Sequence, residues 1–428
     1  MTTAETDPTT SARQPGPLAI IDFRRLWLTN ITFFLALNAQ RFVFGWLVLD
    51  GLGLGEREQG LVVFALGIPA IFLVLHAGVW SDRGHTKRLM MISQVGSAVV
   101  MGAAALLVVA DRVTMPVLLV TAVAAGAVSA LGQPVRAALV PALVPQAVLY
   151  SAIAMNALAM TTSMILGPVI IERIGDWTGF AGAFSFQAAL LAIGLMFLLP
   201  LRVPATTSST PAGPAAETGD DPPPAPRSVL AETADAVRFI VADGPLRLLF
   251  LLLTVAGLTV NPAVMVTLQA YVKETLGRDA GDTAPLFALM GVGLAISSVI
   301  VMRQGNMANK GALFQMAMIV GSTMTFAMGR TTDYWQLFPL VFCMGLAGGF
   351  YITMNQGLIQ ANTPPELMGR VMGVFLLVQA GLLPIGALIL GVLAESLGIG
   401  VVISGAAALA FVTVVSTFIA SPQLRRLS

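Results

Sequence analysis

Charge is scarce in this sequence, and its scarcity excludes an ordinary soluble globule. Asp, Glu, Lys and Arg make up 11% of the 428 residues, whereas hydrophobic residues make up 56%. Soluble domains carry about 25% charged residues, which keep their surfaces wetted. A net charge of +1 offers no concentrated basic patch for phosphate, so we expect no nucleic-acid partner.

Cysteine and histidine are almost absent as well. The single Cys343 lies in an apolar run, which excludes a disulfide framework and a cysteine-based metal site. Two histidines are too few for a metal cluster. The sequence has no Gly-Lys-Ser/Thr phosphate loop, so ATP drive is not encoded. We therefore predict no cofactor, no metal and no enzymatic activity.

Long apolar runs stand in place of the missing charge. A transmembrane helix needs about 20 apolar residues to cross roughly 30 Å of hydrocarbon. Twelve such runs, rich in Leu, Ala and Gly, predict an all-α membrane protein. Their approximate spans are 25–49, 59–80, 87–110, 115–137, 150–171, 179–200, 248–269, 284–303, 310–329, 334–356, 368–391 and 398–420.

The basic residues concentrate at alternate ends of these spans. Cytoplasmic loops of membrane proteins carry the excess of Lys and Arg, so we place both termini in the cytoplasm. The predicted location is the cell membrane, as a multi-pass protein of the bacterial inner membrane. The bases assigned to the cytoplasmic side are Arg24, Arg25, Arg83, Lys87, Arg88, Arg136, Arg303, Lys310, Arg370, Arg425 and Arg426.

A change of composition separates the sixth span from the seventh. Residues 204–227 are rich in Pro, Thr, Ser and Ala, which predicts a disordered linker. After it, Leu230, Ala234, Val237 and Val241 recur at helical spacing, which predicts a short helix along the cytoplasmic surface. The predicted regions are a disordered tail (1–18), a six-helix bundle (19–203), the linker with its helix (204–243) and a second six-helix bundle (244–428).

The two halves repeat one another in sequence. A shift of 219 residues places Gly126 on Gly345 and Gly167 on Gly386. The stretch Gly78-x-x-x-Asp82-Arg83 recurs, at a slightly different shift, as Gly305-x-x-x-Asn309-Lys310. The shared order of these matches predicts two six-helix repeats.

Such a pair of repeats, joined by a linker and with a charged loop after the second helix, resembles the major facilitator superfamily. Gly78-x-x-x-Asp82-Arg83, followed by Lys87 and Arg88, is similar to the cytoplasmic loop motif of that family. Phe23-Arg-Arg-Leu-Trp27 resembles the exporter branch that includes enterobactin and macrolide efflux proteins. The resemblance implies two pseudo-symmetric bundles around a central cavity, which expose a site to each side of the membrane in turn.

The same resemblance implies a latch on the cytoplasmic side. Asp82 would lie beside the start of span eleven, near Arg370, where ion-pair and helix-dipole attraction hold that side closed. The alternative is that these bases only enforce topology. The predicted latch consists of Gly78, Asp82, Arg83, Lys87, Arg88, Arg136 and Arg370.

Polar residues inside the spans are the candidates for a substrate cavity. Arg41 is the most informative, because an Arg at mid-helix costs roughly 2.5–3.5 kcal/mol and should face water or a partner. The alternatives are an Arg that reaches the outer surface and polar groups that only join helices. Asn261-Pro262 also predicts a break in span seven. The predicted cavity residues are Asn38, Arg41, Asn261, Gln269, Tyr351, Asn355 and Gln379.

These features predict a monomeric secondary transporter in the lipid bilayer that exports a small organic or amphipathic solute with proton coupling. His76 and Asp50 are the candidate proton carriers, since His titrates near neutral pH; a structural role is the alternative. An importer or lysolipid flippase of the same fold is the alternative function. A membrane sensor or scaffold that transports nothing is the alternative of another class.

Overall fold

The computed structural model describes residues 17–80, 86–145, 148–203, 229–304, 309–364, 367–425 and 427. The predicted linker at 204–227 and the loop at 81–85 lie outside these ranges. The described elements are all helical, as the sequence predicts, and ten helices are long and apolar enough to cross a membrane.

Fifteen helices make up the described chain. They are α1 (Ile21–Trp46), α2 (Glu56–Trp80), α3 (Thr86–Val109), α4 (Met115–Ala142), α5 (Leu149–Leu198), α6 (Val229–Ala242), α7 (Gly244–Leu258), α8 (Val260–Met265), α9 (Thr267–Glu274), α10 (Ala284–Gln304), α11 (Lys310–Met328), α12 (Leu337–Ala361), α13 (Met368–Leu397), α14 (Ile399–Ala420) and α15 (Pro422–Arg425). A π-helical segment, Leu47–Gly51, extends α1, and three-residue or four-residue 3₁₀ turns occur at Pro17–Ala19, Ala280–Thr283 and Tyr334–Gln336.

Helix α5 is 50 residues long and contains the predicted fifth and sixth spans without a loop between them. The two parts meet at Gly179, whose φ of 71° and ψ of −178° break the helix. Only glycine adopts this conformation without steric cost, because it has no Cβ. The two spans are therefore separate helices that meet at a kink at Gly179.

The predicted break in span seven is confirmed. The span consists of α7, α8 and α9, with interruptions at Thr259 and Val266. Pro262 has no backbone N–H, so it leaves the carbonyl of Leu258 without its helical bond. The Leu258 carbonyl lies at a close contact between α7 and α13. A Cβ added to Gly386 of α13 would be 2.7 Å from this carbonyl oxygen.

The helices define two ends of the molecule, which we call the terminal side and the far side. At the terminal side, Arg25 near the start of α1 donates to the Pro200 carbonyl after α5. Lys87 at the start of α3 donates to the carbonyls of Leu199 and Leu201. At the far side, the end of α1 meets α9 and the start of α2 meets the end of α13.

The apolar core is continuous across both halves only toward the far side. One cluster of buried residues joins α1, α2 and α5 to α9, α10 and α13 there. Toward the terminal side, one cluster belongs to α1, α3, α4 and α5, and another to α6, α7, α11, α12 and α13. In the described chain the two halves are therefore packed together at one end and have separate cores at the other.

Helix α2 packs against α13 across the junction of the halves. A Cβ on Gly67 would lie 1.9 Å from the ring of Pro384, and a Cβ on Gly60 would lie 2.7 Å from the Ala387 carbonyl. Side chains at these positions would push the two helices apart. Small residues thus permit the close contact that closes the far side.

A helix is present where the sequence predicts one after the linker. In α6, Ala236 and Ile240 are buried against α7 and α13. The face that the spacing singled out points outward instead, with Val237 43% and Val241 55% exposed. The helix therefore presents apolar side chains on two faces, one to the protein and one to its surroundings.

Candidate functional site

Asp50 joins the two halves at the far side. The π-helical segment brings its carboxylate within 3.3 Å of Lys273 Nζ on α9. One carboxylate oxygen also accepts hydrogen bonds from Trp46 Nε1 at 2.9 Å and from the Ala280 backbone N–H at 2.8 Å. Lys273 donates in turn to the Leu49 carbonyl. Asp50 is therefore held by three groups, two of which belong to the second half.

A layer of glutamines lies below this ion pair. Gln59 Nε2 on α2 donates to Gln269 Oε1 on α9 at 3.0 Å, and Gln269 Nε2 donates to the Phe42 carbonyl at 3.2 Å. Gly45 gives them room, because a Cβ there would lie 2.2 Å from Gln269 Oε1. Both side chains are buried, and the amide atoms named here are hydrogen-bonded. This layer therefore seals the junction without leaving those atoms unpaired.

Aromatic rings complete the closure. Phe42 contacts Trp46 at 6.1 Å and Phe287 of α10 at 6.1 Å between ring centroids. Trp46 also contacts Phe180 at 4.8 Å. On α1 and its π-helical extension, every residue from Phe42 to Leu49 is buried. We call this buried stretch, with the rings that it contacts, the far-side plug.

Arg41 lies directly below the far-side plug and is exposed. The residue one turn above it, Gly45, faces Gln269 of the second half. Accessible residues continue along α1 toward the terminal side in steps of three or four. They are Arg24, Leu28, Ile31, Leu35, Asn38 and Arg41. Arg41 is thus the innermost residue of an accessible track that the plug closes at the far side.

A second arginine, Arg136 on α4, is fully buried in the first half. Its guanidinium donates to Gln94 Oε1 at 2.5 Å and to Asn30 Oδ1 at 3.1 Å, and it lies 3.9 Å from the ring centroid of Phe33. Asn30 also donates to Asn156 Oδ1 at 2.7 Å. The sequence interpretation put Arg136 at the membrane exit; the structure places it inside the bundle, where these amides replace water.

The second half contains a different polar group at the corresponding depth. Asn355 on α12 is buried and lies beside the Tyr351 hydroxyl, but its amide makes no hydrogen bond of normal geometry to a described residue. The Tyr351 hydroxyl, one turn earlier, lacks a hydrogen bond of normal geometry, and its ring stacks on Phe314 at 5.5 Å. Gln315 on α11 bonds only through its nitrogen, to Thr417 at 3.3 Å.

The predicted cavity residues fall into three environments. Arg41 and Gln379 are exposed, and Asn38 and Asn261 are half-buried. Tyr351 and Asn355 lie in the core of the second half. Gln269 belongs to the buried far-side closure. The seven side chains therefore differ in accessibility, and Gln269 and Asn355 are the fully buried ones.

The predicted latch is described only in part. Asp82 and Arg83 lie outside the described residues, and so does the side chain of His76; Gly78 lies in the last turns of α2. Arg88 is exposed on α3, and Arg370 is half-buried in the first turn of α13. Lys87 is bonded to the end of α5 within its own half.

Sequence reasoning missed the far-side partners. The sequence-based predictions give no role to Lys273, Trp46 or Gln59. The available signal was charge complementarity, because Asp50 and Lys273 end the first helical segments of the two halves with opposite signs. Nothing in the local pattern of Gln59 indicates its partner 210 residues away.

The protein-family comparison gives the identity of the fold. The model of the Major Facilitator Superfamily matches residues 26–387. The chain belongs to the Major Facilitator Superfamily. Proteins of this superfamily transport solutes, so the chain is a membrane transport protein and not an enzyme.

Two curated relatives of this facilitator are exporters. The enterobactin exporter EntS of Shigella boydii serotype 18 is 26% identical over 392 residues, which cover 86% of this chain and 88% of that protein. EntS of Escherichia coli O81 is 25% identical over the same length. The EntS relatives support the predicted resemblance to an exporter branch.

Solved structures with the same fold include several transporters. The nucleoside transporter NupG has a TM-score of 0.72 and 12% identity, covering 93% of this chain and 98% of that one. A POT family transporter in complex with 5-aminolevulinic acid has a TM-score of 0.75 and 12% identity, covering 94% and 96%. A bacterial homologue of the human lysosomal transporter Spinster, in an inward-facing and unoccupied conformation, has a TM-score of 0.65 and 14% identity. At these identities the likeness concerns the fold alone.

Proposed function

We propose that this facilitator exports a small organic or amphipathic solute by alternating access, with proton coupling. The observation that carries the proposal is the contrast along α1. Phe42 to Leu49 are sealed against the second half, whereas Arg41 just below them is exposed. A binding site that is closed toward one side and accessible from the other is what one state of an alternating-access cycle requires.

We further propose twelve spans in two six-helix repeats. Equivalent glycines support this arrangement, because they make equivalent contacts. A Cβ on Gly126 would lie 2.0 Å from the Leu66 carbonyl of α2, and one on Gly345 would lie 2.0 Å from the Met290 carbonyl of α10. The ten membrane-length helices count α5 once and leave out α2. Adding the apolar run of α2 and counting the two parts of α5 separately gives twelve.

The terminal side is proposed to face the cytoplasm of a bacterial inner membrane. The clustering of Arg24, Arg25, Lys87, Arg88 and Lys310 on this side supports the assignment. Under it, the state described is open toward the cytoplasm, so that a cytoplasmic solute has access to Arg41. The export direction is supported by the EntS relatives, which are enterobactin exporters.

Asp50 is proposed to act as a gate residue of the far side. Its ion pair with Lys273 and its bond to the Ala280 N–H must break for the far side to open. Such a residue gains or loses partners with the conformational state, and it is more suited to gating than to carrying a proton across the cavity. His76 remains the candidate proton carrier, because His is the side chain that titrates near neutral pH.

The decisive experiment is solute flux in proteoliposomes under an imposed pH gradient. The purified protein would be tested with a siderophore, a macrolide and a lysolipid, each as an efflux and as an uptake measurement. We expect gradient-dependent movement of at least one solute in the export direction. Flux only inward would assign the protein as an importer. The absence of flux for all three, with the fold intact, would leave the sensor or scaffold function.

The proposed latch is tested by Asp82→Asn. We expect this variant to insert normally and to lose at least 90% of the flux, since the substitution removes the charge that attracts the start of α13. The matched control is Asp235→Asn on α6, which lies outside the proposed latch. Flux of the Asp82 variant at the wild-type rate would show that the loop serves topology only.

A further inference from the structure

We propose that the site below the far-side plug binds an organic anion, whose acidic group is held by Arg41. The inference rests on the transport function proposed above and adds the charge class of its substrate. It is carried by three observations: the accessibility of Arg41, the side from which it is reached, and the absence of carboxylates from the long apolar stretches of the sequence.

Arg41 is accessible from the terminal side and not from the far side. The eight residues that follow it, from Phe42 to Leu49, are all buried. An arginine that reached the far surface would need a passage along this stretch. The accessible residues on α1 lie instead between Arg41 and its terminal-side end, and Asn38 is the next of them.

The accessible track runs beside α5, where a Cβ on Gly167 would lie 3.1 Å from Asn38 Cβ, and at its far-side end it points toward the second half. Phe42 and Gly45 continue its face by one helical turn, and both contact the second half, through Phe287 and Gln269. Residues spaced by three or four share a helix face. Arg41 therefore projects from α1 into the space between the two halves, at the point where the halves diverge.

No carboxylate in the apolar spans neutralises the positive charge of Arg41. No hydrogen bond or ion pair of Arg41 to another described residue is found. The other arginine inside the first half, Arg136, adds positive charge and is bonded to neutral amides. The sequence has no Asp or Glu at 23–49, 59–81, 83–110, 112–171, 177–216, 244–273, 283–332, 334–365 or 367–394.

Two buried or enclosed positive charges without a fixed anion create a positive potential between the halves. A cationic solute would meet repulsion there and no carboxylate. An anionic solute would supply the missing charge, and the planar guanidinium offers a two-pronged donor for a carboxylate or sulfonate. The apolar rings of the plug above Arg41 favour a solute whose remainder is aromatic or aliphatic.

The near absence of cysteine allows this potential to be measured directly. In a background with Cys343→Ser, Asn38→Cys places one thiol a helical turn from Arg41. Its reaction rates with the anionic sulfonatoethyl and the cationic trimethylammonioethyl methanethiosulfonates would be compared, each divided by the rate with a free thiol. We expect the anion-to-cation ratio to fall about tenfold when Arg41→Gln is added.

Two matched variants make the comparison specific. Arg41→Lys keeps the charge and should keep the ratio, whereas Arg57→Gln removes an exposed charge on the far side and should not change it. Equal ratios with and without the Arg41→Gln substitution would overturn the proposal. Each variant would first be checked for a monodisperse elution profile, and the neutral Arg41→Met takes the place of Arg41→Gln if that variant does not fold.

Occupancy is then tested with three probes of the same ring: naphthalene-2-sulfonate, naphthalene-2-sulfonamide and 2-naphthylmethylammonium. We expect the sulfonate to slow labelling of the Asn38→Cys thiol at least threefold in the presence of Arg41, and not after Arg41→Gln. Equal protection by the neutral or cationic probe would overturn the anion assignment while leaving transport untouched. Anion protection without any gradient-driven flux would instead refute the transport function.

Discussion

The two halves of the molecule treat the same buried position differently. Arg136 on α4 and Asn355 on α12 are 219 residues apart, the separation that also relates Gly126 to Gly345. Arg136 donates to two amides and lies over an aromatic ring. Asn355 is just as buried, but its amide makes no hydrogen bond of normal geometry to a described residue.

The difference indicates that the first half is cross-linked by polar bonds and the second is held mainly by apolar packing. Gln94 alone connects α3 to α4 and to α5, through Arg136 and the Leu191 carbonyl. Gln315, the buried glutamine of α11, makes one neutral bond to α14. We infer that the first half moves as the more rigid body, while the second has polar groups free to change partners between states.

The backbone packing, in contrast, should be equally strict in both halves. Gly126→Ala and Gly345→Ala would each place a Cβ about 2.0 Å from a carbonyl oxygen of the neighbouring helix. Backbone atoms cannot rotate away as a side chain does, so the helices must separate. We expect each substitution to cost about 3 kcal/mol, measured as a lower melting temperature in detergent.

Gly357→Ala provides the control on α12 itself. A Cβ at this position meets nothing within 4 Å, and alanine is the better helix former. We expect no loss of stability there. A large cost for one of the first two glycines and none for the other would contradict the equivalence of the halves.

The polar bonds should show the asymmetry most clearly at Gln94 and Gln315. Gln94→Leu removes the acceptor from a buried guanidinium, and a hydrogen bond to a charged group is worth about 1.5–3 kcal/mol. We expect a destabilisation of about 2 kcal/mol in the same melting assay. Gln315→Leu removes only a long neutral bond and an unpaired oxygen, so we expect a change below about 1 kcal/mol.

Equal costs for the two substitutions would mean that the guanidinium adds nothing to the cohesion of the first half. The double variant Gln94→Leu with Arg136→Met separates charge from packing. Since it removes the buried charge together with its acceptor, it should recover part of the lost stability.

The spans were predictable because their cause is local. An apolar run of membrane length specifies a helix wherever it occurs, and α3 and α11 begin and end within a residue of the prediction. The break at Pro262 was readable for the same reason, since a missing N–H is a property of one residue. The boundary between the fifth and sixth spans was readable as well, because the charged residues Glu172, Arg173 and Asp176 interrupt the apolar run just before the break at Gly179. That helical backbone continues up to this break could not be read from the sequence.

The site was predictable only where a charged residue interrupts an apolar stretch of sequence. Arg41 stands out in an apolar run, and the structure leaves it exposed in the interior face of α1. The burial of Arg136 could not be foreseen, because its acceptors Asn30 and Gln94 are 106 and 42 residues away. A rule that places bases outside the membrane is statistical, and amides arranged by tertiary packing are enough to reverse it.

The junction between the halves offers a third test, since its two ion pairs differ in burial. Asp50 and Lys273 retain 17% and 28% of their side-chain exposure, whereas Arg57 and Glu395 retain 53% and 56%. Asp50→Asn should weaken the far-side closure by about 1 kcal/mol, because the partly buried acceptor has two further bonds. Arg57→Gln should have no measurable effect, as is usual for an exposed pair.

The readout is the labelling of Thr267→Cys in a Cys343→Ser background, since Thr267 is buried near the far side. We expect Asp50→Asn to raise the labelling rate about fivefold and Lys273→Met to do the same, which is the change that about 1 kcal/mol produces in an opening equilibrium. The double variant should add nothing further, because both substitutions break one contact. Additive effects would show that the two residues act through separate partners.

The last expected effect has the opposite sign and concerns Asn355. Replacing a buried amide that has no partner by an apolar residue of similar size removes a desolvation penalty. Asn355→Leu should therefore stabilise the described state by about 1 kcal/mol, seen as a higher melting temperature. The same substitution at Asn30 should destabilise, because that amide is bonded on both sides.

If Asn355 pairs with another group in a later state of the cycle, the stabilised variant should also transport more slowly. A ligand or conformational step that needs the amide would then be lost while the resting state gains. Higher stability at an unchanged flux would make Asn355 a neutral remnant of the repeat. Lower stability would mean that the Asn355 amide already has a hydrogen-bond partner. The proposed contrast between Arg136 and Asn355 would then be wrong.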